Sequence, residues 1–199
     1  MSRIVQGFGL AMVAVLGLLL SGCGINTIPT YEEQAKAAWS EVLNQYQRRA
    51  DLVPNLVETV KGYAAQEKDV LTSVVEARAK ATQITLPPEA LSNPELMKQF
   101  QDNQAALSSA LSRLLAVVEA YPDLKSNQNF LALQSQLEGT ENRIAIARRD
   151  YIEAVRKYNT ELRTIPGRWW AAVFYSDAKP MATFDIPAEQ QQAPKVQFN

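Results

Sequence analysis

NFLALQSQLEGTENRIAIARRDYIEAVRKYN, Asn129–Asn159, repeats apolar or small residues every three or four positions: Phe130, Leu133, Leu137, Thr140, Ile144, Ala147, Tyr151, Val155 and Tyr158. That is the period of one helical face, not the alternation of a strand. Two further seams lie upstream. One runs Leu96, Phe100, Gln104, Leu107, Leu111, Leu114, Val118 and Tyr121. The other runs Trp39, Val42, Tyr46, Arg49, Val53, Leu56, Val60, Tyr63, Glu67, Val70, Val74, Ala77 and Ala81. Three stripes of this width need one another for burial, so the predicted fold is all-α: an elongated antiparallel helical bundle of three long helices.

Three stretches break the pattern: TLPPEALSNP from Thr85, YPDLKSNQN from Tyr121 and IPGRWW from Ile165. Ser92 or Asn93 can cap the helix that Pro94 opens, and Thr30 is the expected cap of the first helix. Pro54 lies inside the first seam. It deletes one backbone donor and costs ~3 kcal/mol in a helix interior. The seam keeps its phase through it, which predicts one long helix kinked near Asp51–Pro54. The alternative is a break there, which would give a four-helix bundle of better matched lengths. After Asp177 the chain turns polar and Pro-rich, but Met181, Phe184 and Ile186 are apolar, so an irregular, extended tail partly docked on the bundle is expected.

Composition excludes several kinds of chemistry. The chain has no histidine and one cysteine, so the usual zinc sites and histidine-based hydrolases have no ligands or base. No metal or cofactor site is predicted. With a net charge of −1, nothing attracts nucleic acid.

The cysteine has a context of its own. GFGLAMVAVLGLLL, Gly7–Leu20, is almost wholly apolar and is followed by Leu20-Ser21-Gly22-Cys23. As a helix that run rises ~21 Å, short of the ~30 Å hydrocarbon core, and suits a signal peptide better than a spanning segment. The four residues resemble the bacterial lipobox, which predicts removal of residues 1–22 and lipidation of Cys23. An uncleaved transmembrane anchor is the alternative. Gly24 rather than aspartate after the cysteine points to the outer membrane over the inner.

Several polar residues stand out. Arg49 and Glu67 fall on the core phase. Either they form a polar site inside the bundle, or Pro54 rotates the face or both side chains reach water along their apolar stems; the non-site reading is expected. Asp51, Asn55 and Thr59 share a stripe, either as a partner-binding patch or, as expected, with Asp51 or Asn55 bonding backbone freed by Pro54. Asn142, Arg143 and Arg148 crowd the last long helix near Glu138 and Glu141. They make a solvated face or, with Arg78, an interhelical network that fixes register. Trp169, Trp170, Phe174 and Tyr175 are expected to cap one end of the bundle, with a membrane-interface belt or partner patch as the alternative.

RRADLVPNLVETVKGYAAQE (Arg48–Glu67), the Asn129–Asn159 stretch and the ending APKVQF (Ala193–Phe198) resemble the signature of the LemA family. The resemblance implies a bacterial, envelope-associated bundle outside the cytoplasm behind an N-terminal anchor. Many members carry a transmembrane segment there, whereas this chain has the lipobox. It supplies a membrane protease as a candidate partner, through gene neighbourhood, and no enzymatic activity. The expected organisation is a signal peptide (1–22), a lipidated linker (23–29), the bundle (30–175) and the tail (176–199). The expected function is a lipid-anchored, non-catalytic interaction or structural module of the envelope. The alternative is a module that binds a cell-wall or peptide ligand in a groove between helices.

Overall fold

The computed structural model describes residues 24–84 and 86–184. The expected signal peptide, Cys23 and the end of the tail lie outside the described residues. Among those described there is no strand. Four long helices, α1 (Thr27–Lys61), α2 (Lys68–Gln83), α3 (Pro94–Val118) and α5 (Gln128–Glu161), alternate in direction. Two short helices, α4 (Pro122–Lys125) and α6 (Gly167–Phe174), join or follow them, and a single 3-10 turn occupies Pro88–Ala90. The chief pairings are α1 with α5, α2 with α3 and α1 with α2.

The predicted helical bundle is therefore observed, with four long helices. The division into four does not fall at Pro54, because α1 passes through Pro54 without interruption. It falls eight residues later, in a turn from Gly62 to Glu67 that the continuous seam had hidden. Gly62, a poor helix former, bonds back to the Glu58 carbonyl. Ala64 then turns inward, fully buried, while Tyr63, expected on the seam, is 45% exposed. Caps follow the sequence in part. Asn93 accepts from the amides of Glu95 and Leu96 ahead of Pro94, and Asn127 does the same for α5. Thr30, expected as the first cap, instead lies one turn inside α1, its hydroxyl donating to the Asn26 carbonyl.

The core has two parts. Toward the turn at Gly62, Val53, Leu56, Val60, Val74, Leu107, Leu111, Leu114 and Phe130 pack together. Toward the N-terminal end, Trp39 touches the rings of Phe100, Tyr151 and Phe184 at centroid distances of 5.2, 5.0 and 5.9 Å, and its indole donates to the Leu86 carbonyl. Phe184 belongs to the tail, which docks as expected. Asn159 exchanges two hydrogen bonds with the Met181 backbone, and the Tyr151 hydroxyl donates to the Ala182 carbonyl at 2.8 Å.

Candidate functional site

Between the two core regions, each of three seams places a polar residue: Arg49 on α1, Gln104 on α3 and Thr140 on α5. Their neighbours along the seams (Tyr46 and Val53, Phe100 and Leu107, Leu137 and Ile144) are apolar and buried, so the three polar residues form one cross-sectional layer. Arg49 is 1% exposed. Its Nη1 donates to Ser108 Oγ at 2.7 Å and to Glu141 Oε1 at 3.0 Å. Its Nη2 donates to Gln104 Oε1 at 2.6 Å and to the Gln104 carbonyl at 3.2 Å. Gln104 in turn donates to the Ala81 carbonyl in the last turn of α2, so the layer joins all four long helices. The guanidinium also lies 5.0 Å from the centroid of the Tyr46 ring. Burial raises the Tyr46 pKa, opposed by the charges of Arg148 and Arg49.

This overturns the expectation that Pro54 would turn Arg49 outward. Arg49 stays inside because five N–H donors on a planar fork can find several acceptors at once, which offsets much of the desolvation cost. Nε alone is buried without a partner among the described residues. Glu141 sits at the edge of the layer, its side chain 43% exposed. Glu67, the other polar residue on the predicted core phase, lies in the far turn, where its carboxylate accepts from the Tyr121 hydroxyl at 2.8 Å.

Arg78 explains how α1 survives its proline. Pro54 has no amide to give the Ala50 carbonyl, one turn earlier, and Arg78 Nε on α2 donates to that same oxygen at 2.7 Å. The residues expected there do not fill this role. Asp51 is exposed and accepts from Gln47, and the Asn55 carbonyl accepts from Thr59. Arg78 thus braces α1 against α2 and does not join the charges of α5. Among those charges, Arg143 bridges α5 to α1, reaching Thr140 at 3.0 Å and Gln45 at 3.2 Å. Arg148 stacks over the Phe184 ring at 4.4 Å and so holds the tail. Asn142 lies on the exposed face. The structure thus gathers Arg49 and Glu141 into the layer, links Arg143 to it through Thr140, and leaves Asp51, Asn55 and Asn142 outside.

Sequence reasoning named Arg49, Gln104 and Glu141 separately but did not join them, and it missed Ser108. The available signal was the coincidence of polar residues on three otherwise apolar seams. The aromatic knot divides. Trp170 packs toward the core as the expected cap, while Trp169 is 59% exposed. Chemically, hydrogen bonds from one planar fork to groups on other helices fix the register of those helices. No group of three or more metal-ligating side chains is found among the described residues.

The class defined by this fold is an up-down four-helix bundle braced by an interior polar layer, with the segment up to Phe184 docked against it. The LemA family profile matches residues 38–198, and the chain belongs to the LemA family. It is similar to Magnetosome protein MamQ 2 and Magnetosome protein MamQ 1 of Paramagnetospirillum magneticum, at 29% identity over 180 residues, covering 82% of this chain and 65% of theirs. Magnetosome protein MamQ of Magnetospirillum gryphiswaldense is 27% identical over the same length. The chain thus spans 65% of the length of these relatives.

Proposed function

We propose that the chain is a lipoprotein of the bacterial envelope, held in a membrane by lipid on Cys23, whose bundle is a non-catalytic interaction or structural module. The observation that carries this reading is the state of the interior. Its one buried cation, among the described residues, is engaged by Ser108, Gln104 and Glu141 on two other helices, so it ties helices together and does not face a cleft. The relatives named for the magnetosome suit a membrane-associated role. The anchor reading comes from Leu20-Ser21-Gly22-Cys23, and the outer membrane is favoured by Gly24. An envelope protein, with a membrane protease as the first candidate, is the proposed partner.

Ligand binding between helices has one feature in its favour, a cleft of ≈ 470 Å³ bordered by Glu32, Lys36, Glu89, Tyr158, Asp177 and Lys179. One of its two cations, Lys36, is already engaged, with Nζ 2.8 Å from Glu32 and 3.1 Å from Glu33, so the interaction-module reading stands first. Intact-mass analysis of membrane-extracted protein tests the anchor. A mass lacking residues 1–22 and carrying acyl groups is expected, and Cys23→Ala should leave the precursor unprocessed. Crosslinking in intact envelopes should join the chain to a discrete envelope protein. Hydrolysis of casein or peptidoglycan by the purified chain, lost on mutating a single carboxylate, would overturn the non-catalytic reading.

A further inference from the structure

We propose that α6 is a membrane-docking helix that lays the N-terminal end of the bundle onto the phospholipid surface. This rests on the anchored reading above but not on which anchor is used. Gly24 lies directly against α6: a Cβ built on it would stand 3.4 Å from Trp170 Nε1 and 3.6 Å from the Pro166 ring. Four residues separate Gly24 from Leu20, the end of the apolar run, and four extended residues reach at most ~14 Å. Lipid on Cys23 would be closer still. Either anchor therefore delivers α6 to the bilayer interface.

The surface of α6 suits that place. Trp169 and Val173, four residues apart on α6, are 59% and 71% exposed, Phe174 beside them is 58% exposed, and Ile165, just ahead of the helix, is 64% exposed. One face thus carries an exposed apolar stripe, while Trp170 and Ala171 on the other pack toward the core. Arg163 and Arg168 are exposed at its border, where they would meet phosphate headgroups. Gly167 fixes the orientation. Any Cβ there would lie 2.3 Å from the Glu161 carbonyl oxygen, so α6 folds tightly back on the end of α5 and its stripe faces away from the bundle.

The chain's own C-terminal residues are the rival occupant, and they set out from the wrong place. By Phe184 the tail has already reached Arg148 and Tyr151, and Arg148 lies thirteen residues, ~20 Å, before the end of α5. Fifteen extended residues, 185–199, span ~50 Å and could return that far. But Asp185, Glu189 and three consecutive glutamines match an apolar stripe poorly and leave only a few apolar positions such as Ile186, Val196 and Phe198, so the test below separates this occupant from lipid.

The test uses the full chain as extracted from membranes, reconstituted into vesicles of phosphatidylethanolamine and phosphatidylglycerol with or without brominated phosphatidylcholine. Flotation reports anchoring, and tryptophan quenching reports docking. The expected result is a chain that floats and whose emission is quenched by brominated lipid, with the quenched component largely lost in Trp169→Phe and weakened in a Val173→Ser, Phe174→Ser double variant of unchanged circular dichroism. A floating chain whose Trp169 is untouched by brominated lipid overturns the proposal, whether acrylamide reaches it (open to water) or not (covered by the tail or a second copy). A chain that does not float overturns the anchor and the docking together.

Discussion

Replacing Arg78 by alanine should cost far more stability with Pro54 present than without it. Arg78 Nε donates at 2.7 Å to the Ala50 carbonyl, on a residue only 2% exposed. Without Arg78 that oxygen has no donor on either helix, since the residue one turn on is Pro54. A hydrogen bond from a charged donor is worth ~1.5–3 kcal/mol, and the partial exposure of Arg78 favours the lower half, so Arg78→Ala should destabilise by about 2 kcal/mol. Pro54→Ala restores an amide one turn from Ala50 and removes a penalty of ~3 kcal/mol, part of which Arg78 already offsets. It also loosens the unfolded chain, at a cost of ~0.4–1 kcal/mol, so a net gain of about 1 kcal/mol is expected. In the double variant the restored amide bonds the carbonyl, and loss of Arg78 should cost only about 0.5 kcal/mol. The coupling is then about 1.5 kcal/mol. Urea unfolding of the four chains, followed by far-ultraviolet circular dichroism with unchanged m-values, measures it. Additivity within ~0.5 kcal/mol would refute the view that Arg78 substitutes for the missing amide.

The polar layer gives a second prediction. Arg49→Met keeps the volume but strands Gln104 Oε1, on a residue 6% exposed, while Glu141 can rehydrate; a loss of about 2–4 kcal/mol is expected, and Gln104→Leu added to it should cost less than the sum of the two. An unchanged urea midpoint for Arg49→Met would mean that Arg49 is solvated in solution. Ile144→Asp places a carboxylate at a core position 5% exposed and should lower stability by several kcal/mol; an unaltered melting temperature would remove α5 from the core. At alkaline pH, burial, reinforced by the charge of Glu32, pushes the Tyr158 pKa up to about 12, and burial pushes Tyr151 further. The unfolded chain releases these protons near pH ~10, so this contribution is fully present below ~10 and is lost as pH rises from there toward 12. Melting temperatures should fall across that window, with tyrosinate absorbance from these residues appearing only on unfolding. Complete titration near pH 10 with the fold intact would contradict the burial.

The sequence alone determined the local features. Periodicity located the helices, Asn93 with Pro94 marked a helix start, and the seams listed Arg49, Gln104 and Thr140 at core positions. These follow from the 3.6-residue period and from caps that act within one turn, both of which are properties of neighbouring residues. Only tertiary structure decided the rest. Arg49 finds its acceptors 55 and 92 residues away on Gln104 and Glu141. Pro54 is tolerated because a side chain 28 residues from Ala50 reaches the freed carbonyl. The chain turns at Gly62, not at Pro54, and the helix through a proline persists where another helix supplies the missing donor. Trp169 and Trp170 are chemically identical, yet one faces the core and the other solvent, because the close approach of Gly167 to Glu161 fixes which side of α6 meets the bundle. Local periodicity specifies which face a helix buries. Which groups satisfy a buried charge or an orphaned carbonyl depends on distances between segments remote in sequence, and those are set only when the helices pack.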